Sequence, residues 1–484
     1  MSTDMEKPAS DLGSGHPAGG VRDLLAIALP MVVSTGCDTV MIFTDRLFLA
    51  QLGPAHMNAA MAGGLASFVT ATFFVGVIGF ATALVAQHLG AGRKERCAIA
   101  TTQALIIALV AWPVLIALRP AMHALFAVSG IEAQQLALQT EFFNILNAFS
   151  GMMLLRGALA GFFSGIGRTR IVMTSTLVAM VVNIIANWLL IFGHLGLPAM
   201  GIRGSAWGSV LGGACGLAVL VAAYLGPEMR RIYGVARAWR FDRREMSTLL
   251  RFGFPGGMEM MLNLCAFNGM IIAYHAHGPT TATATTVMFN WDLVSFVPLI
   301  GLQIGVMSLV GRAVGAGRPE VAERVVRSGL RLGWVYSGTV LLAFVGIPEL
   351  LVAVFRPGEG DVLYQQAEPL ATAMIRLAAA YVLIETVITV VSGALRGAGD
   401  TVFTMWLSVG MHWLLLPIAV VGLHVLHWSP LATWSVQVAA FMLCSGLFWL
   451  RWQSGRWRAI RVVPTVAATI AADHDQDFHS TPDA

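Results

Sequence analysis

Apolar runs of ~20 residues recur along the chain, separated by short polar connections, and each is long enough to cross a ~30 Å hydrocarbon core as a helix. They predict about twelve such helices. The expected spans are 24–50, 60–88, 98–118, 139–163, 171–193, 203–225, 249–275, 281–310, 328–347, 368–394, 402–424 and 430–450. Barrel strands would instead alternate over ~10 residues, and these runs do not. The pattern therefore reads as an all-α polytopic membrane protein.

The pattern also repeats. Leu29-Pro30 recurs as Phe254-Pro255, an offset of 225 (255 − 30). Gly53-Pro54 recurs as Gly278-Pro279, and Gly90-Ala91-Gly92-Arg93 as Gly315-Ala316-Gly317-Arg318, both at the same 225. Further on, Gly165-Ile166-Gly167-Arg168-Thr169 matches Gly397-Ala398-Gly399-Asp400-Thr401 at an offset of 232. A constant offset at three equivalent places marks an internal duplication. Two halves of about six helices each keep the same orientation, so the repeat is parallel, about an axis along the membrane normal. The expected organisation is a flexible cytosolic tail (1–22), an N-terminal six-helix lobe (23–225), a basic connector (226–247), a C-terminal six-helix lobe (248–455) and a second cytosolic tail (456–484).

Charge orients this array. Only 12% of the 484 residues are charged and 57% are hydrophobic. One set of connections holds Arg93, Lys94, Arg96, Arg168, Arg170 and the arginines from Arg230 to Arg244, then Arg318, Arg324 and Arg327. The alternate set holds only Arg119, Arg203 and Arg356. By the positive-inside rule both termini are expected in the cytosol, in an inner-membrane protein. The net charge of +4 follows from this bias and gives no reason to expect nucleic acid. The N-terminal segment has no apolar core and is not a cleavable signal. The five cysteines stand far apart, suggesting neither disulfide nor metal.

No motif of an enzyme is present. The Gly-Ala-Gly-Arg loops lack the lysine of a phosphate-binding loop, and the chain's two lysines, Lys7 and Lys94, close no such motif. An ATP-driven machine is not expected, so energy must come from an ion gradient; one charge crossing 100 mV yields about 2.3 kcal/mol.

The informative positions are charges inside the apolar runs, each costing roughly 2.5–3.5 kcal/mol at mid-bilayer. The first run carries Asp38, Asp45 and Arg46. Asp38 and Asp45 are two helical turns apart and share a face, whereas Asp45 and Arg46 diverge by about 100°. An acidic stripe in a spanning helix suits a proton or a hard cation such as Na⁺. Glu385 stands in mid-run with only the distant Arg376 for charge. Glu259 and Asp292 serve either a cargo cation or an ion pair, and Asp38 could be satisfied by Thr35 or Thr39.

At this point the chain resembles the multidrug and toxic compound extrusion (MATE) family. The likeness lies in LPMVVSTGCDTVMIFTDRLFLAQLGP, the Gly-Ala-Gly loops, ALAGFFSGIGRTR, VNIIANWLLIFGHLGLPAMGIRGSAWG, FGFPGGMEM and VVSGALRGAGDT, up to about residue 450. The resemblance implies a proton- or sodium-coupled antiporter, embedded in the lipid bilayer and without other cofactors, that expels amphipathic and often cationic organic compounds; a monomer is expected. It implies that Asp45 binds the coupling ion with Asn183 and Asn187. It also implies a second-lobe cation or substrate site at Glu385, with Glu259 standing in for the acid missing at Asn263; the residues themselves add Asp292 to that site and Asp38, on the first helix, as an auxiliary acid outside the family's pattern. Two departures stand out. Asn263 occupies a place where sodium-type members carry an acid, with Glu259 one turn earlier, and Arg46 replaces a small or hydroxyl residue. The rival readings are a lipid-linked precursor flippase of the same superfamily and an uncoupled channel or scaffold.

Overall fold

The computed structural model describes residues 18–128, 130–356 and 361–463; most of the tails, residues 1–17 and 464–484, lies outside them. The first half comprises α1 (Val21–Ala50), α2 (Pro54–Gly79), α3 (Ala81–Gly90), α4 (Lys94–Ala117), α5 (Arg119–Ala127), α6 (Ala133–Ala148), α7 (Ser150–Gly165), α8 (Thr169–Phe192) and α9 (Ile202–Tyr224). The connector contains α10 (Pro227–Tyr233). The second half comprises α11 (Arg243–Ala276), α12 (Pro279–Gly315), α13 (Pro319–Gly346), α14 (Pro348–Ala353), α15 (Val362–Ala398), α16 (Thr401–Val420) and α17 (Pro430–Gln453). Among the described residues there is no strand, as expected where a bilayer leaves backbone groups no water to bond.

Among the described residues ten helical stretches are long and apolar enough to span a membrane, or eleven with the bent pair α6–α7 counted as one. The twelfth expected span exists as α11, a 34-residue helix that Glu259, Asn263 and Asn268 make more polar than the others. The duplication persists in three dimensions. Pro54 and Pro279 open matching helices, as do Lys94 and Pro319, at the 225-residue offset; Thr169 and Thr401 do so at 232. The turn before each matched proline is made by a glycine at positive φ, 121° at Gly53 and 142° at Gly278, a region closed to side chains with a Cβ.

The halves differ where one sequence disturbs its helix. The α6–α7 pair bends by 45°. There the Trp112 indole donates to the Ala148 carbonyl at 2.8 Å and fills the space beside Gly151. A side chain inserted into the helical ladder is a sufficient cause for a kink. The matching helix α15 runs unbroken from Val362 to Ala398.

The lobes meet on the face that carries the basic loops. Gly90 rests on the Arg312 carbonyl and Gly315 on the Gln87 carbonyl; a Cβ at either would lie 2.0 Å from that oxygen. These residues pair at the 225 offset, so one contact is made twice about the pseudo-twofold axis. Gly76 likewise rests on Gly256 and Gly257, and Gly301 on Val32. The basic-side half of α1 (Leu24, Ala28) joins the same apolar cluster as α12, α13 and α15. Among the described residues the hydrogen bonds between lobes run from Thr35–Val297 to this face, through Ser308–Ser164 at 2.7 Å and Gln87–Gly397 at 2.8 Å. At the face itself His88 meets Glu245 at 3.0 Å with both side chains buried, and Arg96 meets Asp242 at 2.8 Å.

Two boundaries move. The chain expected to be tail from 456 is still folded there: Arg456–Ala459 form a 3-10 turn, Trp457 stacks on Trp452 at 4.4 Å, and Val463 is buried. The expected connector loses its last residues to α11, because Asp242 caps that helix by accepting from the Arg244 and Glu245 amides.

Candidate ion and substrate sites

The first-lobe site is assembled by close helix packing. On α9, Gly204, Gly208, Gly212 and Gly216 recur every four residues along one face against α8, where added Cβ atoms would strike α8 itself. Small residues at this spacing let spanning helices approach closely. Within that contact Asn183 and Asn187 are wholly buried, one turn apart on α8. Asn187 Nδ2 donates to Asp45 Oδ1, and Ser209 Oγ from α9 donates to Asp45 Oδ2 at 3.3 Å. Asn183 Nδ2 reaches Ser209 Oγ at 3.3 Å, and Asn187 Nδ2 also lies 3.4 Å from Asn183 Oδ1. Asp45, Asn183 and Asn187 thus converge, as the sequence suggested, and Ser209 joins them. Ser209 carries no signal of its own in the sequence; its neighbours in the glycine ladder were the clue available.

The carboxylate is held by neutral donors. Arg46 is exposed and, among the described residues, makes no ion pair. A carboxylate whose partners are an amide and a hydroxyl retains its charge for an incoming cation, or its oxygen for a proton.

Asp38 faces a different neighbour. Arg156 on α7 lies 3.5 Å from Asp38 Oδ1 and donates to Thr176 Oγ1 at 2.7 Å, which in turn meets Ser34 Oγ at 2.7 Å. The expected helpers, Thr35 and Thr39, instead bond backbone carbonyls one turn earlier. Asp38 is therefore occupied by an arginine that the sequence could not assign to it.

The four second-lobe candidates fall into two groups. Asp292 on α12 accepts from the Tyr381 hydroxyl on α15. Glu385 lies one turn after Tyr381, is 8% exposed, and its Oε2 has no hydrogen-bond partner. Separately, Glu259 on α11 is paired with Arg396 on α15 at 2.7 Å. Its neighbour Asn263 donates to Ser408 Oγ at 2.8 Å, and His412 Nδ1 donates to the Ser408 carbonyl at 2.9 Å. Of the two roles open to Glu259, the ion pair is the one realised in this geometry. Buried carboxylates keep their charge most cheaply when paired, so Asp292 and Glu385 are the less compensated acids of this lobe.

Comparisons with known proteins agree on one group. The family MatE is matched over residues 30–189 and 255–421, one segment in each half. A probable multidrug resistance protein NorM of Mesorhizobium japonicum is 28% identical over 450 residues, covering 89% of this chain and 94% of its own. The NorM of Thermotoga maritima is 24% identical over 443 residues, covering 90% and 93%. Among solved structures, a multidrug resistance MATE transporter in an outward-facing conformation superimposes with a TM-score of 0.83 at 18% identity, covering 92% of this chain and 97% of its own. A MOP superfamily transporter of Pyrococcus furiosus, with a reversed polarity of its binding pocket, gives 0.82 at 18% identity over 92% and 97%. At that identity the structural likeness concerns the fold.

Proposed function

This chain belongs to the MatE family, transporters and not enzymes, and from that premise we propose that it is an ion-coupled antiporter expelling amphipathic, cationic organic compounds. The observation that carries the proposal is Asp45, an acid in a spanning helix whose oxygens are met by donors from two other helices and by no cation. Arrival of a proton or Na⁺ there replaces the charge that Asn187 and Ser209 satisfy and loosens the tie of α1 to α8 and α9. The resulting movement of α1 favours cargo release on the opposite side. A ligand drives such a switch only by binding its two states unequally. Contact of the lobes along the basic face supports alternating access, with that face closed and cytosolic.

Cationic cargo is supported by the state of the arginines. Arg156 is paired with Asp38, Arg396 with Glu259 and Arg376 with Glu349. A flippase for a diphosphate lipid needs several free cations facing its cavity; among the described residues Arg46 is left without an ion pair, but so are the acids Asp292 and Glu385. The channel reading is disfavoured by the paired lobes.

The test is export of a fluorescent organic cation from proteoliposomes under Na⁺ and pH gradients imposed separately. Stimulation by one gradient identifies the coupling ion, and Asp45→Asn should abolish that stimulation. Export by Asp45→Asn equal to wild type at matched protein would remove the assignment, and flux only down the cargo gradient would restore the channel.

A further inference from the structure

The basic end of α11 carries an open groove of about 650 Å³ that the transport reading does not use. Its floor and walls are Phe241, Met246, Leu250 and Phe254, with Arg243 and Arg251 between them. Phe241 is 64% exposed and Phe254 52%, so large apolar side chains stand open beside two guanidinium groups. We propose that this groove is a binding site for an anionic phospholipid, its phosphodiester headgroup on Arg243 and Arg251 and an acyl chain along Leu250 and Phe254.

Depth places the site at the membrane boundary. From Phe254 to Ala276, α11 extends ~33 Å at 1.5 Å per residue, about the thickness of the hydrocarbon core. Phe254 then lies at the edge of the acyl layer. Arg251 stands about one turn beyond it, at headgroup level, and Arg243, ~12 Å further out along the helix, lines the same groove from the cytosolic side of that layer. The vertical order, apolar below and cationic above, is that of a phospholipid.

The charge is uncompensated. Among the described residues neither Arg243 nor Arg251 forms an ion pair, and no acid lines the groove. The acids nearest in sequence point elsewhere, Asp242 to Arg96 and Glu245 to His88. Arg251 lies over the Phe252 ring at 5.6 Å, which steadies the guanidinium without neutralising it. The duplication gives an internal contrast. At the 225 offset Arg243 and Arg251 correspond to Ala18 and Ala26, so the other lobe lacks this arrangement. Zwitterionic lipid gains no net attraction from two arginines, whereas an anionic headgroup is attracted by both, at least about tenfold in affinity for the pair.

The test is native mass spectrometry of the full-length protein in detergent, titrated with phosphatidylglycerol or with phosphatidylcholine of the same acyl chains. Wild type should retain phosphatidylglycerol about tenfold better. Arg243→Gln with Arg251→Gln should fall to the phosphatidylcholine level while melting as wild type does without lipid. Arg230→Gln with Arg231→Gln, which removes equal charge from the exposed side of α10, should keep the preference. Equal retention of the two lipids by wild type would overturn the proposal. So would an equal loss in the α10 variant, or displacement of the lipid by millimolar inorganic phosphate, which would mark a site for a bare anion.

Discussion

Asp45 and Arg46 are adjacent in sequence and opposite in circumstance. Asp45 is held by Asn187 and Ser209, whereas Arg46 is exposed and, among the described residues, without an ion pair. Arg46→Gln should therefore leave gradient-driven export within about twofold of wild type, as surface changes away from buried partners usually do. Asp45→Asn should lose ion stimulation by at least about tenfold, the scale of one displaced binding group in a coupled equilibrium. Ser209→Ala should fall between them, because it removes one of two donors, and an ion-concentration series would show it as a shifted midpoint. Gly208 tests the packing beneath the site. A Cβ there would lie 1.9 Å from Asn187 Oδ1, so Gly208→Ala should lower the melting temperature and weaken ion stimulation together. A variant that melted normally and coupled normally would show that the contact is dispensable.

Among the helices, α15 draws the second-lobe acids into separate contacts. Its Arg396 closes an ion pair with Glu259, while Tyr381, about four turns nearer its other end, donates to Asp292, with Glu385 one turn after it. Glu259→Gln leaves Arg396 partly buried without its charge partner and should act mainly on stability, read as a lower melting temperature with near-normal affinity for the cargo cation. Asp292→Asn and Glu385→Gln should do the reverse, raising the KM for a cationic cargo with little change in melting. The sequence placed all four acids and amides in spanning helices. It could not sort them, since Glu259 and Arg396 lie 137 residues apart and only the crossing of α11 and α15 joins them.

The whole molecule turns on the seam between its halves. The crossed contacts of Gly90 with Arg312 and Gly315 with Gln87, together with His88–Glu245 and Arg96–Asp242, hold the basic face shut. Removing one partner of a buried hydrogen bond leaves the other group unsatisfied, which is the costly way to break it. Glu245→Gln should therefore shift the population toward a state open at that face. Cys97 is wholly buried near the same seam, and its labelling by a maleimide reagent should quicken in the variant. An unchanged labelling rate would mean that the pair does not limit opening.

Local periodicity and repetition determined the number and class of helices, the two matched halves, the polarity of the loops and the acid of α1 within an apolar run. Those are properties of neighbours along the chain, where spacing translates directly into helix faces and turns. Tertiary structure decided what touches what. It brought Ser209 to Asp45 through a ladder of glycines, gave Asp38 to Arg156 and Glu259 to Arg396, and left Arg243 and Arg251 without an acid among the described residues. Such pairings depend on how helices cross, at separations of tens to hundreds of residues, and charge in a membrane is compensated only by what lies beside it in space.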